Sequence, residues 1–323
     1  MKTLTLFFVA ALAAIPAFAH PGHDDSPLLL AAADSPGTLV TKISLPESQV
    51  VITVEGEYRF IRGNGVPNHD TGQFPGRGNP NRITAQSFTF RVPVAPKTNA
   101  MLRDARGAWL GVALNDVPFE PGTAEFWNGQ PEWVMEAKSG FINLGIDANN
   151  AHVQPTGAYH YHGLPTGLMK KLGGEGTKML LVGYAADGFP IYTSWAYSVA
   201  TNAASALKQM RPSWQLKKVP RDGGPGGTPD GKYTRDYEFV AGSGDLDECN
   251  GRFGVTPEYP KGTYYYCITE EFPQLGRSWR GTPDASFMKR GGPGGGPGGR
   301  GPRGQGGPGG GPPPFGGPPP PDR

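Results

Sequence analysis

The chain has 323 residues, of which 30 are basic and 28 acidic, so its net charge is +2. Charged residues make up only 18% and form no basic or acidic block, which argues against nucleic acid as a partner. Glycine (50 residues) and proline (35) are abundant, but 27 of these residues lie in 290–323. The rest of the chain therefore has the composition of a turn-rich globular domain.

The first residues have the pattern of a secretory signal peptide. Met1-Lys2 is followed by an apolar run from Leu4 to Phe18 and by an Ala-x-Ala site that ends at Ala19. The run is shorter than the roughly 20 residues of a membrane-spanning helix, and no later segment reaches that length. We expect cleavage after Ala19 and export to the periplasm or the extracellular space; a retained N-terminal anchor is the alternative.

Composition divides the remaining chain into a linker at 20–37, one domain at 38–288 and a disordered Gly/Pro-rich tail at 289–323. Two segments of the domain, Thr166–Leu172 and Ala203–Met210, predict short helices. Short apolar runs bounded by turn residues predict strands at Gln49–Val54, Ser87–Val94, Ala108–Leu114, Met179–Tyr184, Tyr237–Val240 and Thr263–Thr269. We therefore expect a single, mainly β, sandwich-like domain with long ordered loops and few short helices.

The histidines are the strongest chemical signal in the sequence. His152, His160 and His162 lie within eleven residues of one another. If 158–162 is a strand, His160 and His162 share one face, because side chains alternate and residues two apart are separated by about 7 Å. His152 can fold back across a Pro-Thr-Gly turn as a third metal ligand, and His69 is a further candidate. Three imidazoles with one open position suit zinc or copper.

Two other interpretations of these histidines stay open. Imidazole titrates near pH 6.5, so a cluster without metal can transfer protons or bind a ligand. The rings can also be structural and satisfied by hydrogen bonds. Separately, His20 becomes the first residue after cleavage, and a terminal histidine can chelate copper through its amine and its ring; an unstructured start is the alternative.

Acidic residues give weaker signals. Asp245 and Asp247 lie in a Gly-flanked loop whose oxygen atoms suit calcium, although the spacing does not match the twelve-residue calcium loop. The alternative is a turn held by side-chain hydrogen bonds. Asp187 stands in an Asp-Gly pair that is typical of a hairpin turn. Asp187 and Asp247 are also our candidates for acid–base residues.

The two cysteines, Cys249 and Cys267, favour a disulfide, because oxidising compartments permit one. Such a bridge would contribute roughly 3 kcal/mol by the chain-entropy argument. A soft metal ligand or an inert buried thiol at Cys267 is the alternative. A faint internal repeat bears on this choice. Residues 157–162 (GAYHYH) match residues 262–267 (GTYYYC), and in this alignment Cys267 is equivalent to His162.

Several long motifs resemble the YHYH family. They are NGVPNHDTGQFPGRGNPN (64–81), IDANNAHVQPTGAYHYHG (146–163), LVGYAADGFPIY (181–192) and GSGDLDECNGRFGVTPEYPKGTYYYCITEEFP (242–273). The resemblance implies an exported bacterial protein with one domain, and supplies no reaction, since the family's activity is unassigned. Other members often carry a second Y-H-Y-H where this chain has Tyr264-Tyr265-Tyr266-Cys267, which argues against a symmetric four-histidine site here.

Two hypotheses follow for function. The first is an exported metal-binding protein, with enzymatic activity an open question, whose ligands are His160, His162, His152 and His69. The second is a non-enzymatic envelope module that binds a glycan, a protein or a small molecule. Its tryptophans would form a sugar-stacking platform or, alternatively, the core. Motifs for serine hydrolases, P-loop and NAD enzymes and H-E-x-x-H proteases are absent from the sequence.

Overall fold

A computed structural model of the protein describes residues 45–174 and 177–289. Contacts divide the chain into Met1–Leu45, of which only Leu45 is described, and Pro46–Arg323. The predicted signal peptide, linker and Gly/Pro-rich tail, except Lys289, lie outside the described residues, as does His20. Within the described ranges, none of the helices has the length and apolar character that crossing a membrane requires.

Short strands dominate the described chain, which confirms the expected mainly β fold. In chain order they are β1 (Val50–Glu55), β2 (Tyr58–Gly63), β3 (Phe88–Pro93), β4 (Thr98–Asp104), β5 (Gly111–Ala113), β6 (Pro118–Phe119), β7 (Ala151–Val153), β8 (Tyr159–Tyr161), β9 (Leu181–Ala185), β10 (Pro190–Tyr192), β11 (Trp195–Tyr197), β12 (Leu207–Gln209), β13 (Trp214–Leu216), β14 (Tyr237–Phe239), β15 (Gly251–Gly254), β16 (Thr263–Cys267) and β17 (Ser278–Gly281). The α-helix of this part of the chain is α1 (Thr166–Lys171), and 3₁₀ turns cover Trp127–Gly129, Thr234–Asp236 and Ala285–Phe287.

One predicted helix is confirmed and the other is wrong. Helix α1 matches the first prediction. The second segment, Ala203–Met210, instead makes a turn and then strand β12, which pairs antiparallel with β11. The turn is held by the backbone amide of Ser205, which donates to the carbonyl of Asn202. Pairing with a neighbouring strand has overridden the local helical preference here.

The central element is an eight-stranded sheet with the order β15-β16-β10-β9-β5-β6-β8-β7. Strands β5 and β9 meet antiparallel in the middle. On one side of this centre, β5–β6 is antiparallel, β6–β8 parallel and β8–β7 antiparallel. On the other side, β9–β10 is antiparallel, β10–β16 parallel and β16–β15 antiparallel. The sheet therefore consists of two similar halves, β5-β6-β8-β7 and β9-β10-β16-β15.

Residue by residue, the outer hairpins of the two halves correspond. Asp147 and Asp247 each donate a backbone N–H to the residue four positions later, at 2.8 Å in both cases. Asn150 and Asn250 adopt positive φ angles of 56° and 62°, a conformation that Asn tolerates better than most residues. The correspondence pairs Ala151, His152, Tyr159, His160, Tyr161 and His162 with Gly251, Arg252, Tyr264, Tyr265, Tyr266 and Cys267. The internal repeat predicted from six residues is thereby confirmed, and it extends through half a sheet.

Candidate functional site

The first repeat brings three imidazoles together. Strand β8 turns His160 inward, and His162 follows on the same face directly after the strand. His152 on β7 lies directly opposite His160 in the antiparallel register. The Nε2 atom of His162 lies 3.0 Å from that of His160 and 3.1 Å from that of His152. We call these three residues the His triad.

Backbone contacts of Nδ1 orient two of the three rings, those of His152 and His160, while the buried Nδ1 atom of His162 has no hydrogen-bond partner. His152 Nδ1 lies 2.8 Å from the Leu144 carbonyl, and His160 Nδ1 lies 3.3 Å from the Ala158 carbonyl. A carbonyl only accepts, so these contacts place a proton on Nδ1. In this tautomer the Nε2 atoms of His152 and His160 carry lone pairs that face His162 Nε2, and these lone pairs can bind a ligand, as in metal-bound histidines.

The spacing of the triad fits a metal ion. In a tetrahedral shell with metal–nitrogen bonds of about 2.0–2.1 Å, neighbouring ligand atoms lie about 3.3 Å apart. The triad supplies one ligand atom from each residue, and all three atoms lie within 4.8 Å of one another. No other group of three His, Cys, Asp or Glu side chains in the described ranges meets this condition. The His triad can therefore hold a metal ion.

Burial keeps the triad neutral. His160 is 1% exposed and His162 is 4% exposed. Loss of hydration, together with the neighbouring imidazoles, lowers the pKa of both rings well below the usual value. Burial also lowers the pKa of His152. Neutral imidazole is the form that binds metal, so the rings need not lose a proton at neutral pH.

An acidic residue that no sequence motif indicated, Glu120, stands beside the triad. Glu120 directly follows β6, and its backbone N–H donates to the Tyr161 carbonyl of the parallel strand β8. Its Oε2 atom lies 3.4 Å from His160 Nε2 and accepts a hydrogen bond from Gln154 Nε2 at 2.6 Å. Burial raises the pKa of the carboxyl group, and Lys289 opposes this shift through an ion pair.

Lys289 completes the surroundings of the triad. Its ammonium group pairs with Glu120 and lies 4.2 Å from the ring centroid of Trp109. That indole ring in turn lies 5.6 Å from the ring of His160. No local sequence motif predicts these contacts, because Glu120 and Lys289 are 169 positions apart.

His69 lies elsewhere. Its Nε2 atom is 2.6 Å from the hydroxyl group of Tyr161, and its Nδ1 atom is 2.9 Å from the Asp70 carbonyl. Tyr161 points to the face of β8 opposite His160 and His162, since neighbouring side chains of a strand alternate. The structure therefore does not bring this predicted ligand to the triad.

Asp187, one of the two acid–base candidates, occupies the hairpin turn between β9 and β10. It accepts hydrogen bonds from the Tyr266 hydroxyl at 2.5 Å and from the Gly281 amide at 2.8 Å. The other candidate, Asp247, accepts from the Tyr264 hydroxyl at 3.0 Å. Both carboxylates thus tie together strands of the second repeat, and neither belongs to the triad.

Asp245 and Asp247, the suggested calcium ligands, are both engaged by groups of the protein. Asp245 pairs with Lys208 at 2.5 Å and accepts from the Arg211 amide. Asp247 is occupied by the Tyr264 hydroxyl and by the amides of its own turn. The alternative interpretation, a turn held by side-chain hydrogen bonds, describes this loop.

The predicted disulfide is absent as well: Cys249 and Cys267 are free, buried thiols. Cys267 packs with Tyr265 in an apolar cluster on one face of β16. Cys249, which lies in the turn before β15, is buried outside that cluster. Burial also raises the pKa of both thiols, which makes them unreactive.

We expect mass analysis of the purified, unreduced protein to find both cysteines free. Iodoacetamide should modify both after denaturation and neither rapidly in the native state, because the folded chain buries the thiols. The measurement is intact mass with and without reductant. An unreduced mass lower by two hydrogen atoms, restored by reductant, would show that the disulfide forms after all.

In the second repeat, side chains fill the positions of the triad. Arg252 takes the place of His152, and its Nε donates to the hydroxyl of Tyr265, the counterpart of His160, at 2.6 Å. Cys267 takes the place of His162. A permanent guanidinium cation thus stands where the first repeat gathers three neutral nitrogen atoms, and only the first repeat retains a metal-binding ligand set.

Comparison with known proteins supports the relationship suggested by the motifs. The family model described as YHYH protein matches residues 89–281, which include the His triad and both repeats. No curated protein matches the chain, and no solved structure does.

Proposed function

The chain belongs to the YHYH protein family, and from this premise we propose that it is an exported protein that binds one copper or zinc ion through its His triad. The observation that carries the proposal is that His162 Nε2 lies 3.0 Å from His160 Nε2 and 3.1 Å from His152 Nε2. Export rests on the N-terminal sequence pattern, with its basic start, apolar run and Ala-x-Ala site.

The donor set selects the class of metal. Calcium and magnesium prefer oxygen ligands, whereas imidazole nitrogen suits zinc and copper. Three histidines leave a fourth position open, which distinguishes catalytic from purely structural zinc sites. Glu120, whose Oε2 atom lies 3.4 Å from His160 Nε2, takes the acid–base role that was predicted for Asp187 and Asp247.

A glycan-binding envelope module is the alternative function, and the tryptophans do not favour it. A sugar-stacking platform requires exposed aromatic faces. All six tryptophans fall within the described ranges, and none of them is exposed. A metalloprotein that acts on, or carries, a small molecule agrees better with the buried triad.

Metal analysis of the tag-free protein, recovered from the periplasm, tests the proposal. We expect about one equivalent of zinc or copper in the wild type, and less than about a tenth of an equivalent in His160→Ala/His162→Ala, because one imidazole cannot hold the ion alone. His69→Ala is the matched control and should keep its metal, since this ring faces away from the triad. Substoichiometric metal in the wild type, or equal metal in the double variant, would refute the proposal.

A further inference from the structure

A cavity of about 800 Å³ opens beside the His triad. All three histidines and Glu120 line it. A metal ion held by the triad would therefore face a chamber large enough for a small organic molecule, since ligand pockets typically measure about 300–1,000 Å³.

The inner wall of the cavity is mainly apolar. Ala105, Ala108 and Val153 are buried there, and Val134 and Leu144 are half-buried. Phe126, which is 42% exposed, stands at the outer part. Apolar walls favour a ligand that can remove its own apolar surface from water.

The two cations in the depth of the cavity each face an anion. Lys289 forms an ion pair with Glu120, and Arg277 forms one with the buried Glu136, while Arg277 Nε and Nη1 have no hydrogen-bond partner. The remaining charged side chains of the lining are exposed, namely Asp104, Arg106, Glu125, Glu132 and Arg235. The paired charges cancel in the depth of the cavity, which disfavours a polyanion or a polycation there, and the unpartnered N–H groups of Arg277 can donate to an uncharged acceptor.

We propose that this cavity binds a small, uncharged organic molecule that has one nitrogen or oxygen donor for the metal and an apolar body of about the size of an aromatic ring. The inference rests on the proposed metal function of the triad, and it names the class of ligand. The donor atom takes the open metal position, and the body lies against the apolar wall. Orientation then comes from the metal, and affinity comes from burial of the apolar body.

A pair of matched probes tests the inference. Imidazole and 4-phenylimidazole carry the same donor, and differ only in an apolar ring. Each is titrated into the full-length protein loaded with Co²⁺, whose visible absorption reports changes in its ligands. We expect 4-phenylimidazole to bind at least tenfold more tightly, because the apolar wall removes its phenyl ring from water.

Variants of the wall separate the cavity from the metal. Phe126→Ala and Val134→Asp should reduce the preference for 4-phenylimidazole to less than about threefold while imidazole still binds. Phe253→Ala, which removes an exposed aromatic ring in the second repeat, is the matched control and should leave the preference unchanged.

The outcomes are distinguishable. Equal affinity of the two probes for a Co²⁺-loaded wild type would overturn the ligand class and leave the metal site standing. Failure of the wild type to take up Co²⁺ would overturn both. Tighter binding of a chitin oligosaccharide than of 4-phenylimidazole would also overturn the inference, because an extended polar glycan is a different class of ligand.

Discussion

Saturating zinc should raise the free energy of unfolding of the protein by about 4 kcal/mol when free zinc exceeds its dissociation constant a thousandfold. The reason is mass action, since the triad exists only in the folded chain. His152 and His160 are brought together by strand pairing, and the unfolded chain has no such preformed site. Urea unfolding with zinc and with a chelator measures the difference.

Two variants make the measurement specific. His162→Ala removes the Nε2 atom that lies beside the Nε2 atoms of both His152 and His160, so zinc should no longer stabilise this variant. His69→Ala should retain the full zinc effect, whatever its own loss of stability. An equal zinc effect in His162→Ala and the wild type would show that zinc binds elsewhere on the chain.

Alternation along a short strand was sufficient to predict the core of the site. The spacing of His160 and His162 predicts that both side chains lie on one face of an extended segment, and in the structure their Nε2 atoms are 3.0 Å apart. The place of His152 depended on one further step, the return of the chain through Gly157, whose φ is +85°. Glycine adopts that conformation without strain, so the turn was readable from the sequence.

Contacts between distant segments could not be read from the sequence in the same way. Glu120 reaches the triad because β6 lies parallel to β8, and nothing near Glu120 indicates that partner. Lys289 is the first residue of the predicted Gly/Pro-rich tail, where composition gave no sign of a contact with the domain. Residues of this kind become visible once the order of strands in the sheet is known.

The disulfide prediction failed for a related reason. Spacing in sequence and a permissive compartment do not determine whether two cysteines come together in the fold. The internal repeat held better evidence, since it equates Cys267 with His162, an inward-facing residue of the first repeat. Like His162, Cys267 is buried within its own repeat, where it packs in an apolar cluster that does not include Cys249.

Asp187 should make the protein less stable as pH rises from about 4 to 7. Burial raises the pKa of this carboxyl group to about 6, although Tyr266, Gly281 and Phe189 donate hydrogen bonds to it. In the unfolded chain the pKa returns to about 3.9. Between these values the folded state holds a proton that the unfolded state has lost, so the stabilisation is complete below pH 4 and is lost as pH rises through about 6.

The expected effect on the free energy of unfolding is at most about 3 kcal/mol, because the pKa of Asp187 rises to about 6 in the folded protein. The quantity to measure is the difference in unfolding free energy between wild type and Asp187→Asn, from urea unfolding at several pH values. Taking the difference cancels the titration of the buried histidines, which acts in the opposite direction because their pKa is lowered.

Asp116 provides the internal comparison, because it occupies the equivalent turn of the first repeat between β5 and β6. Burial raises its pKa to about 7, and its Oδ2 atom accepts a hydrogen bond from the Gly65 amide at 3.0 Å. Asp116→Asn should therefore remove a pH dependence of the same sign, centred at a higher pH than that of Asp187.

The contradicting outcome for Asp187 is a difference in unfolding free energy, wild type minus Asp187→Asn, that stays flat or grows between pH 4 and 7. Such a result would mean that the fold stabilises the Asp187 carboxylate, because its hydrogen bonds outweigh the loss of hydration.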